Sequence, residues 1–190
     1  IIRIPRDSIG CAYDHGTCVA SRCVFGDEID NCLGTHELTP YCNILDLSVF
    51  GEDLNNNVIG PSDFFLRSAL EDTVIKYSET VKVYNLSLGS GIPINDFEFS
   101  DLAKLIDSLS KKYKVLFIIA AGNINGSLGI FPSDHFGSSL ARINTPAESL
   151  LGLTIGFQGK LYFPSLEIVI VFIPSSVFLN KAAEILASEY

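Results

Sequence analysis

The sequence contains no tryptophan and no methionine, and it is short of basic residues: 13 Lys and Arg stand against 22 Asp and Glu, for a formal charge of −9. Nucleic-acid surfaces need clustered Lys and Arg to neutralise phosphates, so this balance argues against such a partner. The one tight basic group, Lys111, Lys112 and Lys114, fits a helix C-terminus, where cations favour the macrodipole. Long apolar runs are also missing. The most apolar stretches, Val115–Ala121 and Ile168–Ile173, fall well short of the roughly 20 residues that a helical membrane span requires, so no membrane partner is expected. Neither a Gly-x-Gly-x-x-Gly loop nor a Walker motif occurs, which argues against a nucleotide-binding domain. There is no initiator Met and no basic start followed by an apolar signal segment. The chain opens directly on Ile1-Ile2-Arg3-Ile4-Pro5, and a trimmed or incomplete protein is the expectation. Five cysteines (Cys11, Cys18, Cys23, Cys32 and Cys42) all fall in the first quarter. An odd count without a secretion signal points to reduced thiols and a cytoplasmic setting.

What is present is apolar: 47% of the 190 residues are hydrophobic and 18% are charged. That composition and length suit one compact domain with a substantial core. Residues 1–14 read as irregular. From His15 a short helix is expected, with Val19, Cys23 and Val24 on one face and Gly26 as its stop. Tyr41–Phe50 reads as a strand and Gly51–Ser62 as an Asn- and Gly-rich loop. Asp63–Tyr77 reads as a helix whose wide apolar stripe is Phe64, Phe65, Leu66, Ala69, Leu70, Val74 and Ile75. Val81–Leu88 alternates as a strand, Phe99–Tyr113 is amphipathic, and Val115–Ala121 is the unbroken apolar run of a strand covered on both faces. Leu151–Gly156, Gly159–Phe163 and Glu167–Ile173 are strand-like, and a closing helix runs from about Val177 to Tyr190. Strands alternating with helices predict an α/β fold, a doubly wound, mostly parallel sheet with helices on both faces. In such sheets the functional cleft lies beyond the carboxyl ends of the strands. The Gly-rich segments Ser87-Leu88-Gly89 and Ala121-Gly122-Asn123 fall at two of those ends.

His15 is followed by Gly16 and Thr17 at a helix start. A histidine titrates near neutrality and suits acid–base work, although a helix N-terminus disfavours its charged form and a catalytic version would need a carboxylate partner. By itself His15 reads as an ordinary loop or capping histidine. Read together, however, His15-Gly16-Thr17-x-Val19-Ala20, Asn85-Leu86-Ser87-Leu88-Gly89, Ala120-Ala121-Gly122-Asn123, and Thr145-Pro146-Ala147 with Leu153-Thr154-Ile155-Gly156 follow one another in a single chain. That series, over about residues 12–156, resembles the subtilisin-like serine proteases, the subtilases of the peptidase S8 class.

The resemblance implies a serine endopeptidase acting on peptides or proteins through a Ser-His-Asp triad, and it leaves a secreted setting open beside the cytoplasmic one. It gives His15 the role of general base, and Asn123 that of donor to the oxyanion of the tetrahedral intermediate. Ser87, Leu88 and Gly89 would pair their backbone with an extended substrate. Ala120, Ala121 and Gly122 would line the main specificity pocket, their small size leaving room for a large apolar side chain. The family's Gly-Thr-Ser-x-Ala-x-Pro pattern is absent. Ser175, or its neighbour Ser176, holds the corresponding topological place before the closing helix, where both also suit N-cap serines. The catalytic Asp is unassigned, because only fourteen residues precede His15 and neither Asp7 nor Asp14 ends a strand. The stretch before the closing helix is shorter than the family's, so a single domain is expected, incomplete at the N-terminus and within 157–176. The same scaffold without Asp and Ser would be an inactive binder of extended peptides.

The resemblance implies no cofactor, though it allows a structural calcium ion. Asp53-x-Asn55-x-Asn57 imitates the first ligands of a calcium loop, but Val58 stands where the sharp-turn glycine belongs and no Glu closes the loop; a solvated loop is expected. Cys18, one helical turn after His15, is expected to be a small buried residue, the alternative being a thiol close to the imidazole. His15, Cys18, Cys23 and Cys32 lack the paired Cys-x-x-Cys spacing of a metal site. His36 and His135 sit in polar segments and carry no motif.

Overall fold

A computed structural model describes residues 1–12, 14–26, 29, 38–123, 128–130 and 132–156. The expected elements at 159–163, 167–173 and 177–190, together with Cys32, His36, Ser175 and Ser176, lie outside the described residues. The chain divides into two compact units, with the boundary between Ala69 and Leu70.

In the first unit, strands β1 (Gly10–Cys11), β2 (Gly51–Glu52) and β3 (Val58–Ile59) form an antiparallel sheet in that order. Gly10 faces Glu52, and Gly51 faces Ile59. The opening residues, expected to be irregular, make a separate parallel bridge outside this sheet: Arg3 N–H donates to the Ser48 carbonyl at 2.8 Å, and Ser48 N–H to the Ile1 carbonyl at 2.9 Å. The strand expected over Tyr41–Phe50 is not a ladder. Within it only Ser48 forms a bridge, to Ile2, while Tyr41, Ile44 and Leu45 are exposed. Alternating apolar residues make a strand only where a second backbone pairs with them continuously, and continuous pairing begins further on, at Gly51.

The expected Asn-rich loop holds the β2–β3 turn. The Asp53 carboxylate accepts from the N–H groups of Asn55 and Asn57, both at 2.8 Å, and from Asn57 Nδ2 at 2.9 Å. These bonds hold the Asp53 carboxyl below its ordinary range. The Asp53 carboxylate is thus the acceptor of an Asx turn, with Asn56 in the left-handed region at φ 61°.

Helix α1 (Asp14–Phe25) follows β1. Gly26 ends it as expected, at φ 60° with its N–H donating to the Arg22 carbonyl at 2.9 Å. Cys23, placed on the apolar face by periodicity, is exposed, and so is Cys18, expected to be buried; Val19 and Val24 are half-buried. Partial desolvation by its neighbours pushes the Cys23 thiol up even so, and Cys42 beside it adds to the shift.

Helix α2 (Asp63–Tyr77) leads from one unit into the other. It buries Leu66, Ala69, Leu70, Thr73 and Val74, a stripe at i, i+3, i+4, i+7 and i+8. The stripe is narrower than expected, since Phe64 and Ile75 are exposed.

The second unit carries the parallel sheet. Strands β4 (Val83–Leu86), β5 (Leu116–Ala120) and β6 (Leu153–Ile155) lie in the order β4-β5-β6, all parallel. Helix α3 (Asp101–Tyr113) makes the crossover between β4 and β5. The α/β class expected from the alternation of elements is thus the one observed. Helix α3 starts two residues later than periodicity suggests, because Ser100 caps it: the Ser100 Oγ accepts from Ala103 N–H at 3.2 Å. Lys111 and Lys112 occupy its last turn, and Lys114 at φ 54° ends it. Leu102, Ala103, Ile106 and Leu109 form its buried face. Central strand β5 is the most buried, with Phe117 and Ile119 fully inaccessible. Phe117 stands opposite Tyr84 in register and stacks on its ring, centroids 5.2 Å apart. A short helix α4 (Ser133–Phe136) and a 3₁₀ turn (Ser139–Ala141) lie between β5 and β6.

Deleting the Phe117 ring removes the largest fully buried side chain, so Phe117→Ala should cost about 3–5 kcal/mol of unfolding free energy. Ser100→Ala should cost about 1 kcal/mol. Urea midpoints at constant slope measure both, and a Phe117 loss below about 1 kcal/mol would contradict its place in the core.

Candidate functional site

Two adjacent parallel strands end at the same edge of their sheet, and here both ends carry small residues. After β4, Ser87 and Leu88 are half-buried and Gly89 is exposed; after β5, Ala120 and Ala121 are half-buried while Gly122 and Asn123 are exposed. The two ends lie close together: a Cβ added to Gly89 would sit 3.7 Å from the Gly122 Cα, in ordinary van der Waals contact with that backbone. The structure thus brings together Ser87, Leu88, Gly89, Ala120, Ala121, Gly122 and Asn123. His15 is the second residue of α1, in the other unit. Ser175 is not among the described residues.

The conformation of this edge follows from its hydrogen bonds. Asn85 Nδ2 donates to Ser87 Oγ at 2.8 Å, bracing the exit from β4. Ala121 continues the ladder beyond β5, its N–H donating to the Ile155 carbonyl at 2.8 Å. Its carbonyl accepts from Asn144 N–H, also at 2.8 Å. Gly122 then turns the chain at φ 100°. A side chain there would be both strained and excluded, since its Cβ would lie 2.5 Å from the Asn144 Cβ and Nδ2. Beyond the turn, Asn144 Nδ2 donates to the Asn123 carbonyl at 3.2 Å.

A second segment supports the first. Residues 90–94 run antiparallel to 143–145: Ser90 N–H donates to Thr145, Thr145 N–H to Ile92, and Ile94 N–H to Ile143, at 3.0–3.2 Å. The hydroxyls of Ser90 and Thr145 are 2.7 Å apart. Asn144, Pro146 and Ala147 are buried beneath. Further along, Asp107 on α3 accepts from Ser149 Oγ at 2.6 Å and from Leu151 N–H at 2.9 Å, holding the approach to β6. Sequence reasoning picked out Thr145-Pro146-Ala147 as a motif but missed Asn144 and the Ser90–Thr145 pair. Nothing in the local pattern of an Asn before Thr-Pro announces a bond to a residue 21 positions away.

The edge from Ser87 to Gly89 and from Ala120 to Asn123 contains no ionisable side chain. Its chemistry is that of hydroxyl, carboxamide and backbone dipoles. Such groups can hold an extended backbone and stabilise developing negative charge, but they cannot take up a proton near neutral pH. Shifted groups lie elsewhere: burial raises the Tyr84 hydroxyl, and the Ile130 N–H, Ser133 and His135 lower the Asp134 carboxyl. Among the described residues no cluster of three or more His, Cys, Asp or Glu could hold a metal ion, and no helix is long and apolar enough to cross a membrane.

The family model of the subtilases matches residues 4–159, and the chain belongs to that family of serine proteases. No curated protein and no solved structure matches it.

Gly122→Ala tests how closely this turn is packed. Positive φ and the approach to Asn144 together should cost about 1–3 kcal/mol, read as a lower urea midpoint. An unchanged midpoint would mean that Asn144 yields without cost.

Proposed function

We propose that this chain supplies the scaffold of a subtilisin-type serine endopeptidase, cutting peptide bonds through a Ser-His-Asp triad. His15 is the general base, which takes the proton of the serine nucleophile and returns it to the leaving amine. Asn123 donates its carboxamide to the oxyanion. Ser87, Leu88 and Gly89 add the substrate as an extended strand, and Ala120, Ala121 and Gly122 wall the pocket for a large apolar side chain. Ser175 is the first candidate for the nucleophile, with Ser176 beside it.

The observation that carries this reading is the close approach of Gly89 and Gly122 at the carboxyl ends of β4 and β5, in a chain of the subtilase family. Backbone approach of this kind leaves an exposed strand end on one side and a tight turn bearing a carboxamide on the other. These are the two parts that strand-wise binding and charge stabilisation need. The edge itself has no ionisable group, so the base of this reading is assigned by the family motif, which His15-Gly16-Thr17 matches.

Treatment of the full-length protein with a fluorophosphonate, followed by intact mass and peptide mapping, tests the proposal. One stoichiometric adduct on a serine is expected, and its position identifies the nucleophile. No adduct would leave an inactive scaffold that binds extended peptides. His15→Ala should abolish the labelling without loss of fold. Asn123→Ala should lower kcat by about 10²–10³-fold, the magnitude known for this donor in subtilisin, with little change in KM. An effect confined to KM would remove Asn123 from the oxyanion role.

A further inference from the structure

The turn that carries Asn123 is held on both flanks by one residue. Asn144 donates its backbone N–H to the Ala121 carbonyl at 2.8 Å and its side-chain Nδ2 to the Asn123 carbonyl at 3.2 Å. Between those anchors lies Gly122 alone, at φ 100°. A glycine resists rotation of its neighbouring peptides less than any other residue. Without the second anchor, the peptide following Asn123 would swing about a hinge that nothing else in the described hydrogen bonds restrains. Asn144 is itself well fixed: it is 4% exposed, its carbonyl accepts from Ala147 N–H at 2.9 Å, and it bridges to Pro93. The absence of a Cβ at residue 122 is what lets the carboxamide of Asn144 come so close.

The geometry points to Asn144 as a positioning residue that clamps the Gly122 turn through the carbonyls of Ala121 and Asn123, and so sets the carboxamide of Asn123 for the oxyanion. This rests on the reading of Asn123 as the oxyanion donor. A donor acts on a transition state only when it is already in place, because reorientation during the reaction costs part of what the contact yields. Position 144 needs a short side chain ending in an N–H donor. A leucine has the same size and branching but cannot donate, and a serine hydroxyl falls short of the carbonyl. Neither change touches the backbone bond to Ala121, so each isolates the side-chain half of the clamp.

The test uses the full-length protein and a chromogenic peptide anilide with a large apolar residue before the scissile bond. Asn144→Leu should lower kcat about 10-fold or more, within the 10²–10³-fold ceiling set by loss of the donor itself, with KM changed less than about threefold. Introduced into the Asn123→Ala background, the same substitution should change kcat less than about twofold, since the group it positions is already gone. A merely structural role predicts the same loss in both backgrounds, and that result, or a loss confined to KM, overturns the inference. Asn144→Ser gives the same comparison should the leucine variant fail to fold. If the wild-type chain neither turns over nor labels, the proposed function fails. The clamp is then judged by hydrogen exchange, where faster exchange of the backbone amides of residues 122 and 123 in either variant supports it and unchanged exchange overturns it.

Discussion

Parallel pairing of β4 with β5, in the register Val83↔Leu116 to Leu86↔Ile119, is the constraint on which the rest of the second unit depends. Parallel strands cannot be joined by a tight turn, so a helical crossover must intervene, and α3 provides it. The same pairing sends both chains out at one edge. Had the strands been antiparallel, Ser87–Gly89 and Ala120–Asn123 would lie at opposite ends of the sheet. Phe117 and Ile119 in β5 are fully buried, and the Tyr84–Phe117 stack locks the register. Slipping the register by one residue would turn β5's inward side chains to the opposite face.

Burial of the sheet fixes where the strands end, and a separate set of bonds fixes how the chain leaves them. Beyond β5 the backbone loses its ladder partners, and an irregular exit would leave carbonyls and amides without acceptors or donors. Here Ile155 and Asn144 satisfy Ala121, Asn144 satisfies Asn123, and Thr145 with Ile92 and Ser90 secures the segment that contains Asn144. Asp107 and Ser149 in turn hold the stretch before β6. The order at the exposed edge is therefore supplied by neighbouring segments, chiefly through Asn144, which is itself buried. That arrangement lets an open surface keep a defined geometry without a side chain of its own filling the space.

Much of this was legible in the sequence. The apolar run from Val115 to Ala121 announced a central strand because only a strand covered on both faces tolerates such a run. The alternation around Tyr84 and the stripe of α3 were equally plain, and Gly26 ends α1 where a glycine stop was expected. The failures share a cause. Tyr41–Phe50 has the alternation of a strand, but a ladder needs a continuous partner, and continuous pairing begins only at Gly51. Phe64, Ile75, Cys18 and Cys23 are apolar in type yet exposed, because composition cannot tell which side of a helix finds a neighbour. Asn144 was invisible for a different reason. Its part in the turn comes from a contact across 21 residues, and a lone Asn has no periodicity to betray it.

The lack of charge along the edge bears on the chemistry proposed for it. A carboxamide and backbone dipoles keep the same charge distribution over the whole range in which a histidine titrates. Stabilisation of an oxyanion by Asn123 would therefore be constant across that range, and the pH dependence of the reaction would enter through the base alone. A lysine or arginine in the same place would offer a stronger charge, but it would also attract the substrate's own carbonyl and any stray anion before reaction. A neutral donor gains as negative charge develops on the oxygen, and it carries no charge of its own to draw other anions. It demands accurate placement in return, because a dipole's effect falls off faster with distance and angle than that of a full charge. A rigid turn clamped from a buried asparagine is the kind of support such a donor requires.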